Sequence, residues 1–261
     1  DFSQSIEPMR EVHQFSKYLL SNKPIWIAEI IPGLDSLVIE IKNPFEDPGN
    51  KRNDVIQKLL ISYKALKEQH KIDEKNDKIH LLKVCYHPDV ALDLSFIAKA
   101  CNLSITEVVN LHKNTIYTVD MIGFMPGFAY CSGLHPALKL PRLASPRAMV
   151  PKGSVAIAEL QTAIYPSATP GGWNIIGKSP NTLFDPNHNP PGLLAAGDKF
   201  QIEEISLDEL QILESKNILS INYDSDKEKL SNKFIEVIQP GSHTTIQDAP
   251  RECLSHFAIG P

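Results

Sequence analysis

Arg142, Arg147 and Lys152 lie close together in a chain that has only five arginines against 21 lysines. A guanidinium binds oxyanions through a two-pronged fork, and an ammonium acts as a point charge. The group could therefore hold phosphate or carboxylate oxygens, with Arg147 and Lys152 as the catalytic candidates. The plainer alternative is a set of surface charges on buried stems. Gln161 and Thr162, followed by Tyr165, offer neutral donors and acceptors that match an amide N–H and C=O in a ligand; a strand-end glutamine bonding backbone is the alternative. In Pro170-Gly171-Gly172-Trp173 the glycines would let backbone approach a ligand while an aromatic ring covers it. A tight turn with Trp173 in the core fits the same residues. Pro126-Gly127-Phe128 sits in an aromatic loop that either lines a pocket or turns a barrel corner. His112 could serve as acid or base near neutral pH, or be an ordinary structural histidine. His87, His135 and His188 fall in proline-containing turns without metal-ligand spacing, so no metal site is expected. Asp185 before Pro186 reads as a turn former, and Cys131 has no partner motif for a nucleophile. No GxxxxGK[ST] phosphate loop occurs anywhere in the chain.

Two kinds of element would have to position these residues. Ser5 can cap a first helix that tolerates Pro8 in its first turn, with Val12, Phe15 and Leu19 at helical spacing. Residues 25–31 and 37–41 are β-branched runs around Pro32-Gly33, and so predict two strands. Asn53 or Asp54 caps a second helix, and residues 79–86 form a further strand. The order αββαβ is that of a ferredoxin-like unit without its first strand. Residues 91–112 predict two short helices, the second opened by a Ser104/Glu107 capping box. From residue 115 onward, short apolar pieces at 155–158, 175–176 and 199–205 lie between turns, as in a small closed barrel. Residues 123–197 hold 11 of the 20 prolines and nine of the 13 glycines, too many for helices.

The whole-chain numbers exclude several classes. The 261 residues carry a net charge of −5, with 42% hydrophobic and 22% charged, an ordinary globular composition. A mildly acidic chain has no global attraction to nucleic acid or anionic membrane. No apolar run reaches transmembrane length, and no secretory pattern opens the sequence. Four scattered cysteines fit free thiols and a cytoplasmic location.

Six stretches are more specific than turn chemistry: Gly123-Phe-Met-Pro-Gly-Phe-Ala-Tyr130, Pro141-Arg-Leu-Ala-Ser-Pro-Arg147, Val150-Pro-Lys-Gly-Ser-Val155, Gln161-Thr-Ala-Ile-Tyr-Pro166, Pro170-Gly-Gly-Trp-Asn174 and Leu183-Phe-Asp-Pro186. At these residues the chain resembles the B-subunit family of bacterial ATP-dependent 5-oxoprolinases. That family also takes in allophanate hydrolase subunit 1, the carboxyltransferase C/D region and the sporulation-kinase inhibitors. The resemblance runs from about residue 5 to about 206. It implies an α+β N-terminal ferredoxin-like domain followed by a mostly-β cyclophilin-like barrel, here assigned to residues 1–86 and 87–206. One departure is Cys85-Tyr-His-Pro-Asp-Val-Ala-Leu-Asp-Leu94, which lacks the family's glycines before the final Asp-Leu.

Residues 207–234 read as a solvated helix end and polar linker. Residues 235–261 resemble the truncated start of a 5-oxoprolinase C-subunit (carboxyltransferase A/B) domain, through Pro240-Gly241, Thr244-Thr-Ile-Gln-Asp248 and Arg251. The resemblance implies opening of a lactam, 5-oxo-L-proline, to L-glutamate. An unactivated amide is a poor electrophile, and transfer of a phosphoryl group from ATP to its oxygen would create a leaving group. Cations around the phosphate would then stabilise the transfer. ATP, with Mg2+ at a site shared with the partner domain, is the implied cofactor. A fused C-subunit and a separate A-subunit are the implied partners, and nucleic acid and membrane are not. The alternatives are the carboxyltransferase part of a urea carboxylase or allophanate hydrolase-type enzyme, and an inhibitor that docks on a histidine kinase.

Overall fold

The computed structural model describes residues 8–42, 48–68 and 79–220. The Ser5 cap, the part of the linker from 221 onward and the C-subunit-like residues 235–261 lie outside them.

The N-terminal segment runs α1 (Pro8–Ser21), β1 (Ile27–Pro32), β2 (Leu37–Ile41) and α2 (Pro48–Glu68). β1 and β2 form an antiparallel hairpin. Phe15 and Leu19 of α1 close over Ile27 and Ile30 of β1 and Leu66 of α2 in one small core. The Tyr63 hydroxyl donates to Glu11 across the two helices at 2.5 Å.

β3 (Ile79–Val84) corrects the sequence expectation. It does not join β1 and β2 but runs parallel to β11 (Lys199–Glu204) in the large sheet. A ferredoxin-like sheet that includes β3 is therefore not what the pairing shows. A mixed pattern of exposed and buried residues along β3 does not reveal which sheet it enters. The strand's choice is made by β11, which lies at the far end of the barrel sequence.

The large sheet also contains β4 (Tyr117–Ile122), β5 (Ala129–Ser132), β7 (Ser154–Ala158), β8 (Gln161–Ile164) and β10 (Asn174–Lys178), in the order β10-β7-β8-β5-β4-β11-β3. Its two edges meet: the Cys85 and Lys178 backbones exchange hydrogen bonds of 2.8 and 2.9 Å. That seam nearly closes the sheet into the expected barrel, which leaves few strand edges unpaired. Gly177 makes the seam possible, because a Cβ there would lie 2.8 Å from the Cys85 carbonyl oxygen. A separate ribbon pairs β6 (Arg147–Val150) with β9 (Thr169–Gly171).

Strand alternation separates two faces. Tyr117, Val119, Cys131, Val155, Ile157, Ile164 and Ile176 point inward. There they meet α3 (Leu94–Ala100) and α4 (Ile105–Lys113), whose Leu94, Ile97, Val108 and Val109 plug the barrel. The capping box read from the sequence is present, with Ser104 Oγ accepting from Glu107 N and Glu107 accepting from Ser104 N. Ala156, Ala158, Ala163, Phe128, Tyr165, Trp173 and Ile175 form a second cluster on the outer face. β7 is buried along its whole length because both its faces are covered.

The stretch expected as a solvated helix end and linker begins with a helix, α5 (Leu207–Ser220), that is fastened to the barrel. Leu210 buries against Cys85 and Ile205, and ion pairs Lys83–Glu209 (2.6 Å) and Lys178–Glu214 (2.7 Å) fasten it to both sides of the seam. Its mixed charges looked solvated because the partners lie far away in sequence.

Candidate functional site

Parts of the motif stretches come together on the outer face of the barrel, through Phe128, Val150, Tyr165 and Trp173 with Arg142 over the Trp173 ring, whereas Val155 and Leu183 belong to the interior cluster. Gln161 opens β8 and Tyr165 follows its end, so one strand spans the site. Ser132 pairs with Gln161 in register, and Tyr130 lies two residues along on the same face. Phe128 packs edge-on against Tyr130, Tyr165 and Trp173, with centroids 4.8, 5.2 and 6.2 Å away. The Arg142 guanidinium lies over the Trp173 ring, 5.8 Å from its centroid. Beneath them Ala156, Ala158 and Ala163 supply a floor of small side chains.

The glycines predicted for ligand approach are used by neighbouring motifs. A Cβ on Gly171 would lie 2.5 Å from the Tyr165 hydroxyl, and the Gly172 carbonyl accepts from Leu143 N at 2.7 Å. Gly127, at φ +78, packs where a Cβ would lie 2.7 Å from Phe184 Cβ. Pro126 stays half-buried beside it, and Phe124 takes the left-handed φ of +68 with its ring exposed. Such a backbone is unusual for an aromatic residue and persists only where surroundings hold it.

The cations separate into two environments. Arg147 is ion-paired within the protein: its Nη2 donates to Asp93 Oδ1 at 2.5 Å and its Nη1 reaches the Trp173 carbonyl at 3.5 Å. Asp93 Oδ2 accepts from Ile175 N at 2.6 Å, and Asp93 N donates to Ile175 O at 2.9 Å. Asp93 thus clamps β10 and neutralises Arg147 together. Arg142 is exposed, and no carboxylate among the described residues pairs with it. Lys152 is exposed on the β6–β7 turn. The next residue, Gly153, donates its N–H to Tyr165 O at 2.8 Å, which puts Lys152 at the Tyr165 end of β8.

His112 belongs to the interior, not to the outer face. It is wholly buried, with Nδ1 2.7 Å from the Tyr86 hydroxyl and Nε2 3.1 Å from Thr162 Oγ1. Thr162 points inward too, on the face opposite Gln161, and donates to Ala156 O at 3.2 Å. Burial lowers the His112 pKa to about 3, so the ring is neutral at pH 7. The unfolded chain, with an ordinary histidine, therefore takes up the proton first as pH falls through 6.5. Stability is then lost across the window from 6.5 down to about 3, at about 1.4 kcal/mol per pH unit. His13, also lowered by burial, acts in the same direction. Chemical denaturation at about pH 6.5 and about pH 5.5 should show that loss, and His112→Gln should reduce it. An unchanged slope in the variant would mean that other groups carry it.

Two aspartates escaped the sequence reading. Asp93 was visible as the Asp-Leu that ends the departing stretch, but nothing local tied it to Arg147. Asp120 interrupts the apolar strand Tyr-Thr-Val-Asp-Met-Ile and is buried. It accepts from Ser132 Oγ at 2.6 Å and from Gln161 Nε2 at 3.1 Å. Its backbone carbonyl lies 2.7 Å from His13 Nε2, which ties α1 to the barrel. Among the described residues no group of His, Cys, Asp or Glu could hold a metal ion, and no helix is long and apolar enough to cross a membrane.

Residues 2–194 match the family model of the carboxyltransferase domain, subdomains C and D. The chain is 38% identical over 208 residues to the 5-oxoprolinase B-subunit of Bacillus subtilis, covering 75% of this chain and 82% of that one. It is 37% identical over 205 residues to the protein of the same name from Haemophilus influenzae, covering 78% and 91%. Among solved structures, TTHA0988 superposes with a TM-score of 0.64 at 31% identity, over 77% of this chain but only 38% of that one. The urea carboxylase of Kluyveromyces lactis shares the fold at a TM-score of 0.58 and 17% identity, over 83% of this chain and 21% of that one.

Proposed function

Because the chain belongs to the 5-oxoprolinase B-subunit family and carries its carboxyltransferase C and D domain, we propose that it acts within an ATP-dependent 5-oxoprolinase complex. The complex opens 5-oxo-L-proline to L-glutamate. This chain contributes to lactam activation together with a C-subunit, while a separate A-subunit completes the enzyme. The observation that carries the reading is the likeness, over most of the chain, to proteins named for that activity.

When bound, ATP would supply a phosphoryl group to the lactam oxygen with release of ADP, so that water can add to the ring carbon, the C–N bond break with a proton passing to nitrogen, and a second water release phosphate from the acyl phosphate so formed. The residues present fit such a ligand in part. Arg142, its guanidinium 5.8 Å from the Trp173 ring centroid, offers donors for oxyanions, and Lys152 offers a point charge at the other side of Tyr165. Without a phosphate loop in the sequence, this partial set suits a nucleotide site completed by the C-subunit, with Mg2+ held by the nucleotide and the partner. Tyr130, Phe128 and Trp173 exclude water from the face where charge develops, which strengthens each polar contact there. Gln161 stands at the opposite end of β8 as the group that meets the lactam.

The test uses the protein together with C-subunit and A-subunit partners, and follows 5-oxoproline-dependent release of phosphate and glutamate. Coupled release is expected, with Arg142→Ala lowering kcat/KM by roughly tenfold or more, the loss of one charge-assisted contact. Absence of release from the folded, associated complex would overturn the reading.

A further inference from the structure

The Gln161 carboxamide has a defined orientation, and a buried group sets it. An ionised carboxylate only accepts hydrogen bonds. Asp120 therefore calls for donors from both sides, and it receives the Ser132 hydroxyl on Oδ1 and the Gln161 amide N–H on Oδ2. The amide nitrogen of Gln161 is consumed in this way. Its oxygen, Oε1, has no partner among the described residues, and the side chain is half-exposed on the outer face. We propose that Asp120 is a positioning residue that turns Gln161 so that its carbonyl oxygen receives the ring N–H of a cyclic amide ligand. This inference rests on the proposed function and adds to it the atom by which the site would select a lactam over a ring of the same shape without an N–H.

Three features support the assignment. Asp120 is 2% exposed, so solvent does not compete for its oxygens. It sits where the β4–β5 pairing shifts register between Val119 and Met121, an irregularity that re-aims a side chain. The His13 contact to its own carbonyl holds the backbone at that point. A glutamine serving only to bond backbone would not need a buried carboxylate behind it.

The experiment compares two ligands on the protein assembled with C-subunit and A-subunit partners. One is 5-oxo-L-proline, followed by kcat/KM. The other is 3-oxocyclopentane-1-carboxylate, which has CH2 in place of the ring N–H and is read as a competitive inhibitor through its Ki. Gln161→Leu removes the acceptor at a half-exposed position, so folding should survive. Asp120→Asn lets the facing amide turn over. In both variants kcat/KM for 5-oxoproline should fall by roughly 10- to 100-fold, the loss of the acceptor for the ring N–H. The Ki of the ketone should change less than about threefold, since that ligand never used the contact. A general disturbance of the site would weaken both ligands together, and that result overturns the assignment, as does an unchanged kcat/KM in Gln161→Leu. If the wild-type complex does not turn over 5-oxoproline at all, the proposed function falls and takes this inference with it.

Discussion

Replacing Asp93 with alanine should lower the melting temperature by roughly 6–12 °C. Two losses coincide. The Ile175 N–H is left without its 2.6 Å acceptor in a strand with no access to water, which costs about 1–3 kcal/mol. Arg147, only 27% exposed, is left facing a hole where its 2.5 Å partner stood. Removing one partner of a partly buried pair is more costly than removing both. Together they amount to about 3 kcal/mol, and each kcal/mol moves a domain of this size by about 2–4 °C. Asp93→Asn should lose less, because its side-chain oxygen can still accept from Ile175 N. Adding Arg147→Ala to Asp93→Ala should recover part of the deficit, since the stranded charge is gone. Thermal unfolding followed by circular dichroism checks all three. A shift under about 2 °C for Asp93→Ala would mean that the clamp does not hold β10.

Trp173→Ala should be of similar or larger size, at about 3–5 kcal/mol, and should also affect activity. The ring is 5% exposed and contacts Phe128 and Tyr130 edge-on, so truncation opens a cavity in the middle of the outer cluster. Trp173→Phe is the more informative variant, because it keeps most of the packing and weakens the seat of Arg142. A cation over an indole is held by about 0.5–2 kcal/mol, and less over a phenyl ring. In the assembled complex, Trp173→Phe should therefore stay folded and lose roughly three- to tenfold in kcat/KM. Denaturant unfolding and steady-state kinetics on the same sample separate the two effects. A folded Trp173→Phe variant with full activity would remove the Arg142–Trp173 contact from the proposed ligand face.

Much of the local structure was determined by the sequence alone. The Ser104/Glu107 capping box acts within one helical turn, so no distant residue can change its meaning. The alternation of β8 is likewise local: it places Gln161, Ala163 and Tyr165 on one face, and Thr162 and Ile164 on the other. The proline and glycine density of 123–197 already required short strands and turns. The six motifs identified the family, because ordered residues between Gly123 and Pro186 carry that information without coordinates. Tertiary structure alone decided which contacts each candidate makes. The sequence favoured Arg147 over Arg142 as an oxyanion ligand, and only the 54-residue closure that brings Asp93 to Arg147 makes Arg147 an ion pair and leaves Arg142 beside Trp173. His112 closes a helix whose apolar face plugs the barrel, so burial sets its charge where residue type suggested a titrating group. β3 shows the same limit, since strand pairing is a choice among distant edges. Spacing along the chain encodes which face a side chain takes; which partner it meets there depends on contacts between segments that the chain brings together only on folding.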